Sequence, residues 1–191
     1  MARPAQYKQN DVLQSSMSVF WNRGYAASSM SELIQATGLK SGSIYAGFGS
    51  KQQLFEASID YYAKISLKNL VNRLNSSDDY LLNIRSTIAA MIEASLNCNP
   101  KGCFLVNTLI ELAPHDESIR QRVKGHIANV EQAFKEALVA AKRSGQLAED
   151  RDLNEMAKKI MINIWGINVM QRAGLSADEV ETFKIYFSDI V

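Results

Sequence analysis

Residues 29–51 read SMSELIQATGLKSGSIYAGFGSK, and this stretch decides the fold. Ser29 is placed to cap a helix, because its hydroxyl can accept an orphan N–H of the first turn. Met30, Leu33 and Ile34 follow at i, i+3 and i+4, an apolar stripe at helical spacing. Gly38 stops that helix, since glycine takes the left-handed conformation a sharp turn demands. Leu39 fills the corner. Residues 41–47 form a second helix, too short to stand alone, with Ile44 and Phe48 holding its inner face. Lys40, Ser41, Ser43, Tyr45 and Ala46 are left facing outward. Two short helices joined by a glycine-containing turn make a helix-turn-helix, whose second helix fits the major groove of DNA.

The longer run 20–55, FWNRGYAASSMSELIQATGLKSGSIYAGFGSKQQLF, resembles the DNA-binding domain of TetR-type repressors. Phe20, Gly24, Tyr25, Ser29, Leu33, Gly38, Gly42, Tyr45, Phe48 and the segment 51–54 all stand at the family's spacing. Motif detail covers about the first third of the chain; the rest is similar only as an all-helical architecture. Two departures stand out. Lys40 occupies a place where Ser often caps the recognition helix, so Ser41 is expected to take over as cap. Ala46 and Gly47 replace larger residues. The resemblance implies an all-α chain of about nine helices, with a three-helix DNA-binding head at 1–52 and a helical effector-binding and dimerisation body at 53–191. It also implies a sequence-specific regulator, a repressor released from double-stranded operator DNA by a small-molecule or electrophile effector. Ser29, Tyr45 and Lys51 are expected on phosphates, and Lys40, Ser41 and Ser43, with Gly42 among them, nearer the base edges.

Charge agrees with that division. The chain of 191 residues carries a net +1. Residues 1–52 hold Arg3, Lys8, Arg23, Lys40 and Lys51 against Asp11 and Glu32, a net +3, which leaves −2 for the remainder. A basic head on an acidic body suits a DNA reader joined to a regulatory body. The start, MARPAQYKQN, has no apolar run, and the uncharged stretch 160–171 falls short of the roughly 20 residues a membrane-crossing helix needs. With two cysteines, a disulfide scaffold is not indicated. The expected location is the cytoplasm.

The remaining helices follow from periodicity. Residues 8–23 form the first helix, with Val12, Ser16, Val19 and Phe20 inward and Gly24 as its stop. Residues 50–53 are a capping box, S-x-x-Q, opening a long helix to 74 that joins head to body like a strut. Its expected inner side is Leu54, Ser58, Tyr61, Ile65 and Lys68. Further helices are expected at 79–97, 103–113, 116–144, 152–174 and 176–191. The helix at 103–113 is apolar nearly all round and is expected to be buried. In the last two helices more apolar surface accumulates than one face can hide, and TetR-type proteins dimerise through such a pair; a homodimer through 152–191 is expected.

No enzyme, metal or cofactor is indicated. The glycines around Phe48 lack the Gly-Lys-Ser/Thr of a phosphate loop and follow no strand. His115 and His126 stand alone. Cys103 follows Lys101 at a helix start, where a nearby cation and the helix terminus favour thiolate; it is a candidate sensor, with Cys98 as resolving partner. The alternative is a small buried hydrophobe. Asn107 and Glu111 need partners inside the body, either internal hydrogen bonds or an effector cavity lined with Phe104, Thr108, Tyr61, Met161 and Trp165. The competing reading of the whole chain is a helical ligand-binding protein with a vestigial helix-turn-helix.

Overall fold

A computed structural model describes residues 9–94 and 102–188. Among them nine α-helices account for the regular structure, and no strand occurs. The head comprises α1 (Gln9–Arg23), α2 (Met30–Thr37) and α3 (Ser41–Phe48). The body comprises α4 (Lys51–Leu74), α5 (Tyr80–Glu93), α6 (Phe104–Leu112), α7 (Glu117–Arg143), α8 (Leu153–Ala173) and α9 (Ala177–Ser188).

Several helix starts have a side-chain cap. Asp79, Asp116 and Asp152 cap α5, α7 and α8 through their carboxylates, which accept from Leu82, Ile119 and both Asn154 and Glu155. Ser176 and Glu179 close a reciprocal box at α9: Ser176 N–H donates to Glu179 at 2.9 Å and Glu179 N–H to Ser176 Oγ at 3.3 Å.

The core runs without interruption from head to body. Phe20, Leu33 and Ile44 of the head join Leu54, Phe55 and Ile59 of α4, then Ile84, Ile88, Phe104, Val123, Phe134, Leu138 and Ile160. Helix α4 threads this core, packed on α1 and α3 at one end and on α5 and α7 further along. On α4 the buried side is Leu54, Phe55, Ser58, Ile59, Ala63, Leu70 and Leu74. Ile65 and Lys68 are exposed instead, because a stripe drawn from Ser58 through Tyr61 drifts around the helix away from the neighbours it meets. In α1, Leu13 is buried in place of Val19, which is half-buried.

Helix α6 differs from its expected full burial. Phe104, Leu105, Val106 and Thr108 face inward, but Ile110 is 61% exposed. The helix packs on α4, α7 and α8 with one side only. The expected loop and arm residues Arg3, Cys98 and Lys101 lie outside the described residues.

Candidate nucleic-acid interface and the cleft behind it

The reading head is built by local bonds. Ser29 caps α2 in a full box: its Oγ accepts from Glu32 N–H at 3.2 Å, and its own N–H donates to Glu32 Oε2 at 2.8 Å. Thr37 Oγ1 donates to Leu33 O at 2.7 Å, and Gly38, at φ 68°, turns the chain while its N–H donates to Ile34 O. Lys40 is the N-cap of α3 and supplies no side-chain cap; Ser41 lies inside the helix, so the expected transfer of capping to Ser41 does not occur. What seats α3 is Ile44, fully buried, with Phe48 half-buried beside it. Lys40, Gly42, Ser43, Tyr45, Ala46 and Gly47 are exposed on the opposite side, and Ser41 is half-buried.

Two expected phosphate contacts change character. The Ser29 hydroxyl donates its single proton to Glu32 Oε2 at 3.0 Å, and the Ser29 N–H is taken by the same carboxylate. Both Ser29 donors are thus engaged by Glu32, and they square the start of α2. Glu32 is held below the usual carboxylate range by the Ser29 backbone N–H and then its hydroxyl, with Arg23 at 3.1 Å adding to this. The Lys51 ammonium donates to Tyr25 O at 2.7 Å and sits 4.5 Å above the Tyr25 ring. An ammonium carries three protons, so Lys51 is pinned in place and keeps donors for an anion.

Behind the reading surface the head is tied to the body. Phe20, Tyr25 and Phe55 form one aromatic group, and Trp21, Tyr62 and Phe104 form another, joined by an edge contact between Phe55 and Phe104 at 5.8 Å. Trp21 Nε1 donates to Gly102 O at 3.1 Å. Glu111 of α6 reaches across and accepts from Tyr25 N–H at 3.1 Å and Ala26 N–H at 2.9 Å. A cleft of about 380 Å³ opens here between α1, α6 and α8; Phe20, Trp21, Phe104, Asn107, Thr108, Glu111, Val169 and Arg172 are among its lining.

Of the expected effector residues, the structure brings Phe104 and Asn107 to this cleft. Tyr61 does not line it, and neither does Trp165, which is 39% exposed on the outer side of α8. Cys103 is the N-cap of α6, as its position suggested, but its thiol is pushed up rather than down. Burial outweighs the lowering by the N–H groups of Val106 and Leu105 and by the Tyr62 hydroxyl, which donates to Sγ at 3.7 Å. The shift is opposite in direction to the one a helix start and a nearby cation would give. Sequence reading missed Trp21 and Arg172, for which no local pattern spoke. It did flag Glu111 as needing a partner, but that partner lies 85 and 86 residues away.

Residues 12–58 match the family model described as bacterial regulatory proteins, tetR family, and residues 81–187 match that of the tetracyclin repressor-like C-terminal domain. The chain belongs to the TetR family. It is thus a DNA-binding transcriptional regulator. Among curated TetR-type relatives it is 27% identical over 188 residues to the HTH-type transcriptional repressor ComR of Escherichia coli, covering 93% of this chain and 86% of ComR. It is 26% identical over 164 residues to the uncharacterized regulator YezE of Bacillus subtilis, covering 83% and 82%. Among solved structures, the regulator CifR as a cysteine mutant complexed with 26-base-pair operator DNA superposes with a TM-score of 0.85 at 23% identity, over 98% of this chain and 97% of that one. The reduced form of Escherichia coli NemR gives 0.80 at 20% identity, over 94% and 95%. These two similarities concern the fold. No described helix is long and apolar enough to cross a membrane.

Proposed function

We propose that this TetR-family chain is a cytoplasmic homodimeric repressor, released from its operator by a small-molecule effector and carrying no catalytic activity of its own. The observation that carries the DNA part is the open face of α3, where Lys40, Gly42, Ser43 and Tyr45 stand clear of the core that Ile44 anchors. Small residues at 42, 43, 46 and 47 let the helix backbone approach the groove closely. Tyr45 and Lys51 serve the phosphates, and Lys40, Ser41 and Ser43 face the base edges. The head is taken as 1–52 and the body as 53–191, with α4 running between them.

The dimer reading rests on Ile162, Trp165, Val169 and Met170 of α8 and Ile185 and Tyr186 of α9, which are large, apolar and exposed. Ile162, Trp165 and Val169 follow at i, i+3 and i+7, one continuous stripe. The inner stripe of α8, Met156, Ile160, Ile164, Ile167 and Gln171, is already buried within the subunit. A second copy offering the same stripe would cover both, as two-fold symmetry requires.

The test is selection of bound fragments from a genomic pool by the purified full chain, followed by footprinting. A two-half-site operator, with Lys51→Ala weakening all sequences and lowering the salt slope by about one counterion, is the expected result. Binding with no sequence preference would sink the proposal and favour the ligand-binding alternative.

A further inference from the structure

We propose that the cleft between α1, α6 and α8 binds a small apolar molecule bearing one anionic group, an aryl or alkyl carboxylate, and, on the reading that an effector releases the operator, that this is where the effector sits. The cleft measures about 380 Å³, within the range of small-molecule sites. Its floor is aromatic and shielded: Phe104 is 2% exposed, and Trp21 lies against it at 6.3 Å between ring centroids.

Two polar features of the lining lack partners among the described residues. Thr108 is 2% exposed, and its hydroxyl is sealed from solvent with no hydrogen bond. A buried hydroxyl left unmet is destabilising, which a ligand oxygen would correct where the wall of the cleft gives way to admit it. Arg172 is exposed and has no carboxylate at ion-pair distance among the described residues. The other charges of the cleft are engaged: Arg23 pairs with Glu32 at 3.1 Å, and Glu111 accepts the N–H groups of Tyr25 and Ala26. A guanidinium with an empty fork beside an aromatic floor calls for a carboxylate on an apolar body.

Occupancy would bear on DNA binding through α6. Thr108 and Glu111 are three positions apart on one helix, hence on the same side. A molecule reaching Thr108 lies against the turn that carries Glu111, whose carboxylate holds the segment just before α2. A ligand that shifts this turn shifts the head, provided that it binds the shifted state better.

The experiment titrates the full-length protein by calorimetry with phenylacetate, 3-phenylpropionate, hexanoate and octanoate, and with 3-phenylpropionamide as the neutral control. Saturable binding of at least one carboxylate is expected, with the amide about tenfold weaker. Arg172→Gln should weaken that carboxylate about tenfold and Thr108→Val several-fold, with sedimentation unchanged. Thr108→Val should keep or raise the melting temperature, since it removes an unpaired hydroxyl; a merely structural role would lower it. The same carboxylate should release a labelled operator from wild type and not from Arg172→Gln. No binding of the four acids up to about 10 mM, or equal affinity in both variants, overturns the proposal. Binding that depends on Arg172 and Thr108 without operator release supports the site and refutes the release reading. Release that ignores both substitutions keeps the reading and removes the site.

Discussion

Glu111 makes the connection between body and head testable. Its carboxylate accepts two backbone N–H groups, from Tyr25 at 3.1 Å and Ala26 at 2.9 Å. Hydrogen bonds to a charged acceptor contribute about 1.5–3 kcal/mol each when sheltered. The Tyr25 bond is part-buried, but the Ala26 bond is exposed and competes with water, so the pair together should contribute about 2 kcal/mol. Glu111→Ala should lower unfolding stability in urea by that amount, at fixed protein concentration and with an unchanged slope. Glu111→Gln should lose about half, because its amide offers one oxygen to two donors. As a control, Glu136→Ala, on an exposed helix face, should stay within about 0.5 kcal/mol of wild type. The second assay is amide hydrogen exchange: Tyr25 and Ala26 should exchange faster in Glu111→Ala, while Glu32, whose N–H is held by the Ser29 cap, should not. Unchanged exchange at Tyr25 and Ala26, or a loss no larger than that of the control, would refute the argument.

Three other outcomes are expected. Trp165→Glu places a charge on the stripe assigned to the partner, and sedimentation should show monomer at micromolar concentration where wild type shows dimer. In a Cys98→Ser background, alkylation of Cys103 by iodoacetamide should be slow at neutral pH and accelerate only above the ordinary thiol range, because burial raises its pKa; rapid modification near pH 7 would reinstate it as a sensor. Glu32 is depressed in the folded state, so its contribution to stability is present above the unfolded carboxylate range and is lost as pH falls through the folded pKa. The stability gap between wild type and Glu32→Gln should therefore close on acidification below about pH 4, and a gap that stays open would contradict the capping assignment.

What the chain disclosed in advance was local. Ser29, Gly38 and Ile44 follow rules that operate within one or two turns, and the helix-turn-helix was readable from them. The capping acids at 79, 116 and 152 likewise announced three helix starts. What escaped was set by contacts distant in sequence. The reciprocal bonds of Ser29 with Glu32 went unread, though S-x-x-E was legible as a capping box. Cys103 looked activated because helix terminus and cation are sequence-level features, whereas the burial that raises its pKa is set by tertiary packing. Trp165 was placed in a cavity by its aromatic character alone; only the packing of α8 could say that its side points outward.

Arg122 of α7 grips α4 with a fork, Nη1 on Asp60 at 2.6 Å and Nη2 on Glu56 at 3.0 Å, and His126 holds Asp60 from beside it at 2.7 Å. Were α4 to pivot at this clasp, its fulcrum would lie near residue 58. At a rise of about 1.5 Å per residue, the arm toward Lys51 is roughly 10 Å and the arm toward Leu74 roughly 24 Å. A displacement at the Leu74 end would reach the DNA head reduced to roughly 0.4 of its size. On that geometry mechanical advantage would run against the far end of the body, and a push applied beside the head, at the turn of α6 that carries Glu111, would reach the reading helices without that reduction.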